Sequence, residues 1–447
     1  MSTKRMEDVL TDLENARRFA GAYGESVRWV AKWRHWLVWD GQRWRPDDTG
    51  DVPRRAKELV RGLYESASKV KDSAKRRQQI VHARAAQQAG RIGGMLELAK
   101  SEPGITVIPD RLDTDPWLLN VENGTLDLRC GELRSHRGED LITKLAPAAY
   151  EPQATCPTWE AFLKRVLAGD DQLIHWLQKV VGYSLTGDAR EQCLFIAWGL
   201  GANGKSTLFN TVAGVVGGYA QHTPTSTLLV KRSETIPNDL ARLYGARLVT
   251  AAEAECNRDL AEALVKQLTG GDKVAARFLH GEFFEFVPKF KVFLGVNQRP
   301  TIRGTDHAIW RRIRLIPFTV TISEEEQDKE LPEKLRGEKA GILRWAVEGC
   351  LAWQREGLKA PKAVTDATTE YRDEMDTVGP FLDECCTRDP ASEVPVGKLY
   401  DAYSDWCVTN GDRPMSKRDF GARLTEKGLE RGRRKGGRFW RGLAVTR

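Results

Sequence analysis

Strand and helix patterns alternate in the middle of the chain. Residues 193–198 form an uninterrupted apolar run, and further strand patterns occur at 246–255 and 290–296. Short apolar runs of this kind are typical of parallel strands buried on both faces of a sheet. Residues 206–216, which follow the first run, predict a helix. From residue 156 onward the pattern therefore predicts an α/β core.

The first 150 residues predict a smaller α+β unit. Residues 53–100 have a helical pattern with a basic middle, for which a solvated helix face is expected. Asp40–Gly41 predicts a hairpin in a segment rich in tryptophan and arginine. Its aromatic side chains are expected to fill a small core rather than to stack on single-stranded bases. These side chains are Trp29, Trp36, Trp39 and Trp44. Short strands are predicted at 117–121 and 126–128.

The carboxy-terminal part predicts two helices followed by a basic hairpin. Apolar and aromatic residues recur at helical spacing over 399–407. Ser416 and Asp419 form a capping box that opens a second helix, and Gly428 ends it. Residues 431–441 predict a basic β-wing. The two helices and this wing together resemble a winged helix that binds duplex DNA. A winged helix that docks on a protein is the alternative. The expected phosphate contacts are Lys417, Arg418, Arg423, Arg434 and Lys435.

Composition places the chain among ordinary globular proteins. It has 447 residues, 41% of them hydrophobic and 29% charged, which suits about three domains. The longest apolar stretch, residues 193–202, is far shorter than a membrane span, and no secretory signal opens the chain. The eight cysteines lack zinc-site spacing and are expected to be reduced thiols in a cytoplasmic protein. The net charge of +7 is carried by residues 427–447, which favours a nucleic-acid partner over a solvated tail.

One motif carries specific chemistry. Residues 199–206 satisfy G-x-x-x-x-G-K-[ST] at each fixed position, between a predicted strand and a predicted helix. Glycines let the backbone N–H groups surround an anion, the lysine neutralises β- and γ-phosphates, and the Ser206 hydroxyl suits Mg²⁺. The predicted ATP-binding residues are Gly199, Gly201, Ala202, Asn203, Gly204, Lys205, Ser206 and Thr207.

Two further strands supply polar side chains at their ends. Glu253 and Glu255 fall on one face if the strand at 246–255 persists. One of them can hold Mg²⁺ and the other can polarise the attacking water, although surface glutamates at a strand end are the alternative. Asn297 follows the strand at 290–296 and is placed to touch the γ-phosphate or the water, unless it only forms a turn.

Basic residues accompany these strands. Arg311 and Arg312 are candidates for an arginine finger that reaches the nucleotide of a neighbouring subunit, with local salt bridging as the alternative. Residues 268–286 predict two β-like arms with a tip near 280–281. Lys273, Arg277 and His280 in these arms are expected to grip a DNA backbone, although a plain surface hairpin is physically equivalent.

The order and spacing of these motifs resemble those of superfamily 3 helicases, and most closely the phage and plasmid primase–helicase family, which is similar to the poxvirus primase-helicase. The segments that carry the resemblance are 199–207, 247–253, 266–272, 290–300 and 304–318, and 123–128 matches the segment that precedes the motor. The resemblance implies an AAA+-like P-loop core in a homo-hexameric ring that travels three-prime to five-prime on single-stranded DNA.

Residue roles follow from the same resemblance. It implies that Lys205 and Ser206 are the Walker A pair and that Glu253 is the Walker B carboxylate. Asn297 takes the sensor position, and Arg311 or Arg312 is the finger. The Glu-Ala-Glu spacing at 253–255 leaves the division of labour between the two acids open.

We therefore expect an α/β protein with four parts. These are an amino-terminal collar over 1–150, an ATPase domain over 151–350, a helical linker over 351–385 and a winged helix over 386–447. Only about 150 residues precede the motor, so no priming activity is expected, and Asp113 with Asp115 is not expected to form a primase metal pair.

The expected function is that of an ATP- and Mg²⁺-dependent DNA helicase for phage, prophage or plasmid replication in the cytoplasm of a bacterial host. Its expected partners are single-stranded and forked or duplex DNA, its own copies and other replication proteins, and no membrane. The alternative is a DNA-binding ATPase that acts as a replication initiator or loader without processive unwinding. A small-molecule kinase fits poorly, because no acceptor-binding residues accompany the motif.

Overall fold

Residues 10–231, 238–252, 258–278, 281–304, 307–434 and 437–446 are described by the computed structural model. The amino-terminal elements are, in chain order, α1 (Asp12–Tyr23), β1 (Val27–Val30), β2 (His35–Trp39), β3 (Trp44–Pro46), α2 (Asp51–Ser68), α3 (Ser73–Ala86), α4 (Ala89–Ala99), β4 (Leu118–Val121), β5 (Gly124–Asp127) and β6 (Glu132–Arg134). Within the described ranges, no helix combines the length and the apolar character that a membrane span requires.

The predicted tryptophan core lies between the first helices and the antiparallel sheet β1–β2–β3. Trp44 is fully buried, and its indole N–H donates to the Gly138 carbonyl at 2.8 Å. Trp29 and Trp36 are half-buried and contact each other, with ring centroids 5.2 Å apart. The Asp40 carboxylate closes the turn by accepting the backbone N–H groups of Gln42 and Arg43. The predicted hairpin and the core role of these tryptophans are confirmed.

Asp113 and Asp115 hold loops of this unit in place. The carboxylate of Asp113 accepts both the backbone N–H and the hydroxyl of Thr143, at 2.8 and 2.5 Å. Asp115 pairs with the Arg129 guanidinium at 2.9 Å. Each carboxylate therefore has a structural role.

The central elements surround one parallel sheet. They are α5 (Pro157–Val166), α6 (Asp171–Leu185), β7 (Leu194–Trp198), α7 (Lys205–Val216), β8 (Ala220–His222), α8 (Asn238–Ala241), β9 (Leu248–Ala252), α9 (Glu262–Gly270), β10 (Val274–Arg277), β11 (Phe283–Phe286), β12 (Lys291–Val296), α10 (His307–Trp310), β13 (Ile313–Pro317), α11 (Leu331–Gly337), α12 (Lys339–Glu356) and α13 (Lys362–Glu374). The strand order is β13-β7-β12-β9-β8, and all neighbours are parallel. This sheet is consistent with a P-loop-like core.

Burial on both faces explains the strand patterns in the sequence. Along β7, Phe195 and Ala197 face one core, which includes aromatic residues of α5, α6 and α12, while Leu194 and Ile196 face the other. Each strand residue therefore leaves water whichever side it points to. The same geometry brings the carboxyl ends of β7, β12 and β9 to one edge of the sheet.

The sheet β4–β5–β6 packs on the central part. Leu119 and Leu126 belong to the same hydrophobic core as β7. The guanidinium of Arg247, which is 6% exposed, donates to the carbonyls of Leu185 and Leu118 at 2.7 Å each and to that of Asp115 at 3.3 Å. The segment at 115–126 is thus joined to the central part, and the boundary at residue 150 stays a prediction.

The carboxy-terminal unit has its own core. Its elements are α14 (Val378–Cys385), β14 (Cys386–Pro395), α15 (Val396–Thr409), α16 (Lys417–Glu426), β15 (Arg431–Arg434) and β16 (Gly437–Val445), with an antiparallel sheet in the order β14-β16-β15. Phe381 of α14 lies in this core, so residues 378–385, assigned to the linker from sequence, pack with the unit that follows. The Ser416 hydroxyl accepts the backbone N–H of Asp419, and the predicted cap of α16 is confirmed.

Candidate functional site: the glycine-rich loop and its pocket

The loop between β7 and α7 has the backbone that its glycines allow. Gly201 and Gly204 have φ values of +113° and +84°, and Ala202 between them has φ +43°. A Cβ atom on Gly204 would lie 2.5 Å from Cγ1 of Val166, so no side chain fits there. Because α7 begins at Lys205, the free N–H groups of its first turn adjoin the loop. A loop of this shape next to a helix N-terminus suits an anion.

Lys205 joins the loop to the neighbouring strand. Its Nζ donates to the Gly199 carbonyl at 2.7 Å, to Oδ1 of Asn203 at 3.0 Å and to Oδ1 of Asn297 at 3.1 Å. Asn297 directly follows β12, which is paired with β7. Burial lowers the pKa of the Lys205 ammonium group to about 8. The structure therefore brings together Lys205 and Asn297, two residues selected from sequence 92 positions apart.

A cavity of ≈ 890 Å³ opens beside the loop. Its loop side includes Gly201, Ala202, Asn203, Gly204, Lys205, Ser206 and Thr207. Asn297 and the last residue of β9, Ala252, also line it, and Ser206 in the loop is exposed. The remaining walls come from α5 and from the segment 322–332. At the rim, the Arg165 guanidinium pairs with the Glu326 carboxylate at 3.0 Å.

The sequence analysis did not identify the α5 and 322–332 walls. These segments lie about 40 residues before and 120 residues after the motif. Their composition has no nucleotide-binding signal, because the contribution of Phe162 and Leu331 is apolar surface alone. Only the fold brings them to the loop.

The acidic candidates cannot be placed in the same way. Glu253 and Glu255 lie outside the described residues, so their roles stay predictions. Among the residues that are described, no group of three or more His, Cys, Asp or Glu side chains could hold a metal ion. The Ser206 hydroxyl lines the cavity, and its role as a Mg²⁺ ligand stays a prediction.

Arg311 and Arg312 differ in environment. Arg311 is exposed, and its Nη2 donates to Oε1 of Gln192 at 2.8 Å. Arg312 is 7% exposed; its Nε donates to Oγ1 of Thr269 at 3.1 Å and its Nη1 to the Ala308 carbonyl. Both residues precede β13, which runs parallel to β7 with Ile313 opposite Leu194. They therefore lie a strand length, about 17 Å, from the loop of their own chain.

The predicted DNA-contacting hairpin is present as β10 and β11, which pair antiparallel with Arg277 opposite Phe283. The Arg277 guanidinium lies 4.7 Å from the centroid of the Phe283 ring. Phe283 is 62% exposed and Phe278 is 48% exposed. Lys273 is also exposed and pairs with Glu285 at 3.7 Å. His280 lies outside the described residues.

Most basic candidates of the carboxy-terminal unit are at the surface. Lys417 and Arg418 are exposed at the start of α16, and Arg434 is exposed while pairing with Glu393 at 2.9 Å. Lys435 lies outside the described residues. The phosphate contact expected for Arg423 is wrong: this side chain is 4% exposed and its Nη2 donates to the Arg303 carbonyl at 2.5 Å. It therefore docks the unit on the central part instead of facing solvent.

Three family descriptions match the chain. The family described as "D5 N terminal like" matches residues 16–168, and the one described as "Poxvirus D5 protein-like" matches residues 373–440. A family of unknown function matches residues 197–312, which include the glycine-rich loop.

Viral proteins are similar over much of the chain. "Putative helicase L207/L206" of Acanthamoeba polyphaga mimivirus is 28% identical over 333 residues, which are 68% of this chain and 35% of that protein. "Putative helicase 022R" of Frog virus 3 is 27% identical, over 70% of this chain and 41% of that protein. "Putative primase C962R" of African swine fever virus is 25% identical, over 67% of this chain and 34% of that protein. The chain thus spans about a third to two-fifths of the length of these relatives.

A solved structure has the same overall fold. The A-form apo structure of the NrS-1 C-terminal region aligns with a TM-score of 0.52 at 11% sequence identity. The alignment covers 98% of this chain and 100% of that one. At this identity the likeness concerns the fold alone.

Proposed function

Because the chain belongs to the primase–helicase family of D5-like proteins, we propose that it is an ATP-hydrolysing DNA helicase that acts in replication. The relatives named as helicases and primases of large DNA viruses support a replicative helicase-like role. The observation that carries the proposal is the Lys205–Asn297 contact in the lining of the cavity, since it joins the phosphate-binding lysine to a polar strand end. The expected phage or plasmid source stays a prediction, because these relatives are proteins of eukaryotic viruses.

The residues of the cavity suit a nucleoside triphosphate. The N–H groups of the loop and of the first turn of α7 bind the phosphates, and Lys205 exchanges its three oxygen partners for phosphate oxygens. The Ser206 hydroxyl ligates Mg²⁺, and the base end extends between α5 and the segment 322–332. ATP with Mg²⁺ supplies the phosphoanhydride bond whose cleavage provides free energy. Asn297 orients the attacking water, and Glu253 or Glu255 polarises it.

Hydrolysis between subunits of a ring accounts for the position of Arg311. This side chain is exposed at the sheet edge opposite the loop, about 17 Å away by the length of β13. It cannot reach the nucleotide of its own chain, but because it is exposed it can enter a neighbour's cavity by giving up its bond to Gln192. Arg312 is buried within its own chain, which favours Arg311 as the finger.

Two surfaces are suited to DNA. The exposed Phe278 and Phe283 with Arg277 at the β10–β11 hairpin combine a stacking surface with a cation, as single-stranded DNA sites do. The element order of the carboxy-terminal unit, with a helix pair followed by a hairpin, supports a winged helix. Lys417, Arg418 and Arg434 then contact the phosphates of a duplex.

The test uses Lys205→Ala in ATPase and strand-displacement assays on a long tailed duplex. We expect hydrolysis and displacement to fall at least a hundredfold, because the variant loses the phosphate-binding cation. Lys359→Ala, which removes an exposed lysine that does not line the cavity, is the matched control and keeps both activities. Unwinding that survives Lys205→Ala contradicts the proposal. If the unchanged chain hydrolyses ATP but does not displace the strand, the protein belongs to the initiator or loader class instead.

A further inference from the structure

The tip of the α2–α3 pair is a concentrated basic surface that no role above uses. Six lysine and arginine side chains fall within residues 69–84, against one acidic residue, Asp72. They are Lys69, Lys71, Lys75, Arg76, Arg77 and Arg84, and all are exposed. The sequence alone favoured a solvated helix face here.

This tip has little packing of its own. Residues 71–78 are exposed without exception, and the buried residues of α3, Ala83 and Ala86, both lie near its carboxyl end. The first two turns of α3 are therefore held out from the core. Packing does not explain why four cations fall within seven residues here, because residues 71–78 are all exposed.

The positive charges at the tip are not neutralised locally. Within the described part of the chain, none of the six cations forms a salt bridge with a carboxylate. Asp72 caps the helix by accepting the backbone N–H groups of Ala74 and Lys75, at 2.9 and 3.1 Å. Some helical cations elsewhere in the chain are paired within a turn, for example Arg344 with Glu348 at 2.8 Å. The α3 surface thus keeps a net charge that repels itself without a partner.

A groove continues this surface. It has a volume of ≈ 910 Å³ and runs along α3, with Ser73, Arg77, Gln78 and His82 on one side and Arg91 of α4 on the other. Burial, followed by the positive charge of Arg18, lowers the pKa of His82 in its wall, against the opposing effect of the Asp12 carboxylate. Arg77 therefore continues the basic surface of the tip into the groove, while Arg91 on the other side is paired with Asp12 at 3.3 Å.

We propose that the α2–α3 tip and its groove form a second DNA-binding surface, which takes the phosphate backbone of duplex DNA without reading its sequence. Exposed cations at helical spacing suit phosphates at fixed positions on a duplex. Residues 71–78 contain no aromatic side chain, whereas single-stranded DNA sites usually provide stacking platforms. The choice of DNA among polyanions rests on the proposed function, because a replicative helicase meets a duplex at the fork.

The experiment measures the affinity of the full chain for a labelled duplex of random sequence over a range of salt concentrations. The variant carries Lys71→Gln, Lys75→Gln, Arg76→Gln and Arg77→Gln, which keep helix propensity. Its control carries Lys164→Gln, Arg355→Gln, Lys359→Gln and Arg372→Gln, which remove four cations that are also exposed and lie outside the α2–α3 tip. Both variants should melt at the temperature of the unchanged chain.

We expect the slope of log affinity against log salt to become shallower by about 3.6 in the tip variant, since each of the four phosphates that it no longer neutralises contributes about 0.9. Affinity at about 150 mM salt should fall at least tenfold. An equal loss in the control variant, or none in either, overturns the proposal. A loss confined to oligo(dT) assigns the surface to single strands, and a loss confined to polyglutamate or anionic vesicles removes DNA as the partner. ATP turnover without DNA, which tests the proposed function separately, should be the same in all three proteins.

Discussion

Lys205 is expected to couple nucleotide binding to proton uptake. The residue is 7% exposed, its ammonium group has only neutral oxygen partners, and burial lowers its pKa to about 8. Phosphate oxygens favour the charged form, so nucleotide binding should return the pKa towards the ordinary value of about 10.4. The bound state then holds more protons than the empty state at any pH between these two values.

The magnitude follows from the two pKa values. At pH 7 about nine-tenths of empty chains already carry the proton, so binding takes up only about 0.1 proton. At pH 9 about a tenth carry it, and binding takes up about 0.9 proton. Affinity should therefore be about tenfold lower at pH 9 than at pH 7, which corresponds to about 1.4 kcal/mol.

Without nucleotide, the free energy of unfolding depends on pH with the opposite sign to that of the nucleotide affinity. Because the folded-state pKa of Lys205 lies below its unfolded value, the charged form costs free energy of folding below pH 8. This cost is removed as the pH rises from about 8 towards about 10.5. The contribution of Lys205 to the free energy of unfolding therefore increases over that interval.

The assay is titration calorimetry with the Mg²⁺ complex of a non-hydrolysable ATP analogue, at pH 7 and pH 9. Two buffers of different ionisation enthalpy at each pH give the number of protons taken up. Lys205→Arg keeps its charge throughout and should bind with almost no uptake at pH 9, whereas Lys359→Ala, outside the cavity, should behave as the unchanged chain does. An uptake below about 0.3 proton at pH 9, with binding intact, refutes the reasoning.

Four further predictions concern single residues. Asn297→Asp places a carboxylate 3.1 Å from Nζ of Lys205. Because this acid competes with the phosphate for the lysine, nucleotide binding should weaken at least tenfold. The dissociation constant measures the effect, and unchanged binding contradicts the prediction. Gly204→Ala puts a Cβ atom 2.5 Å from Val166 at φ +84° and should lower the free energy of unfolding by about 1–3 kcal/mol, as measured by urea denaturation. Arg311→Ala should retain nucleotide binding but lose hydrolysis, and mixing it with Lys205→Ala subunits should restore part of the activity if the finger acts between subunits. Arg312→Ala should instead unfold more readily, by about 2–4 kcal/mol.

Local patterns were sufficient where burial or a turn decides the structure. The strand at β7 is apolar at every position because both faces of the sheet are covered, so its sequence predicts it without further information. The Lys205–Asn297 contact follows from the rule that carboxyl ends of parallel strands share an edge, once both strands are known. The backbone of the glycine-rich loop is set by the few residues that allow positive φ.

Orientation and long-range contact were not predictable in the same way. Whether Arg311 or Arg312 faces solvent depends on the turn before β13, which brings one guanidinium to Thr269 and leaves the other outside. The cavity walls depend on segments that only the fold brings together. Arg423 did carry a signal that the interpretation missed: it lies three residues after Phe420 and next to Leu424, on the apolar side of α16.

The three carbonyl acceptors of Arg247 constrain any attempt to isolate the motor. A truncated protein that starts at residue 151 retains the acceptor of Leu185 but loses those of Asp115 and Leu118, and it uncovers the apolar surface beneath Leu119 and Leu126. Such a fragment should be recovered in inclusion bodies, whereas one that starts ahead of residue 113 keeps the interface complete. For the same reason, heat should melt the β4–β6 sheet and the P-loop-like core in a single transition.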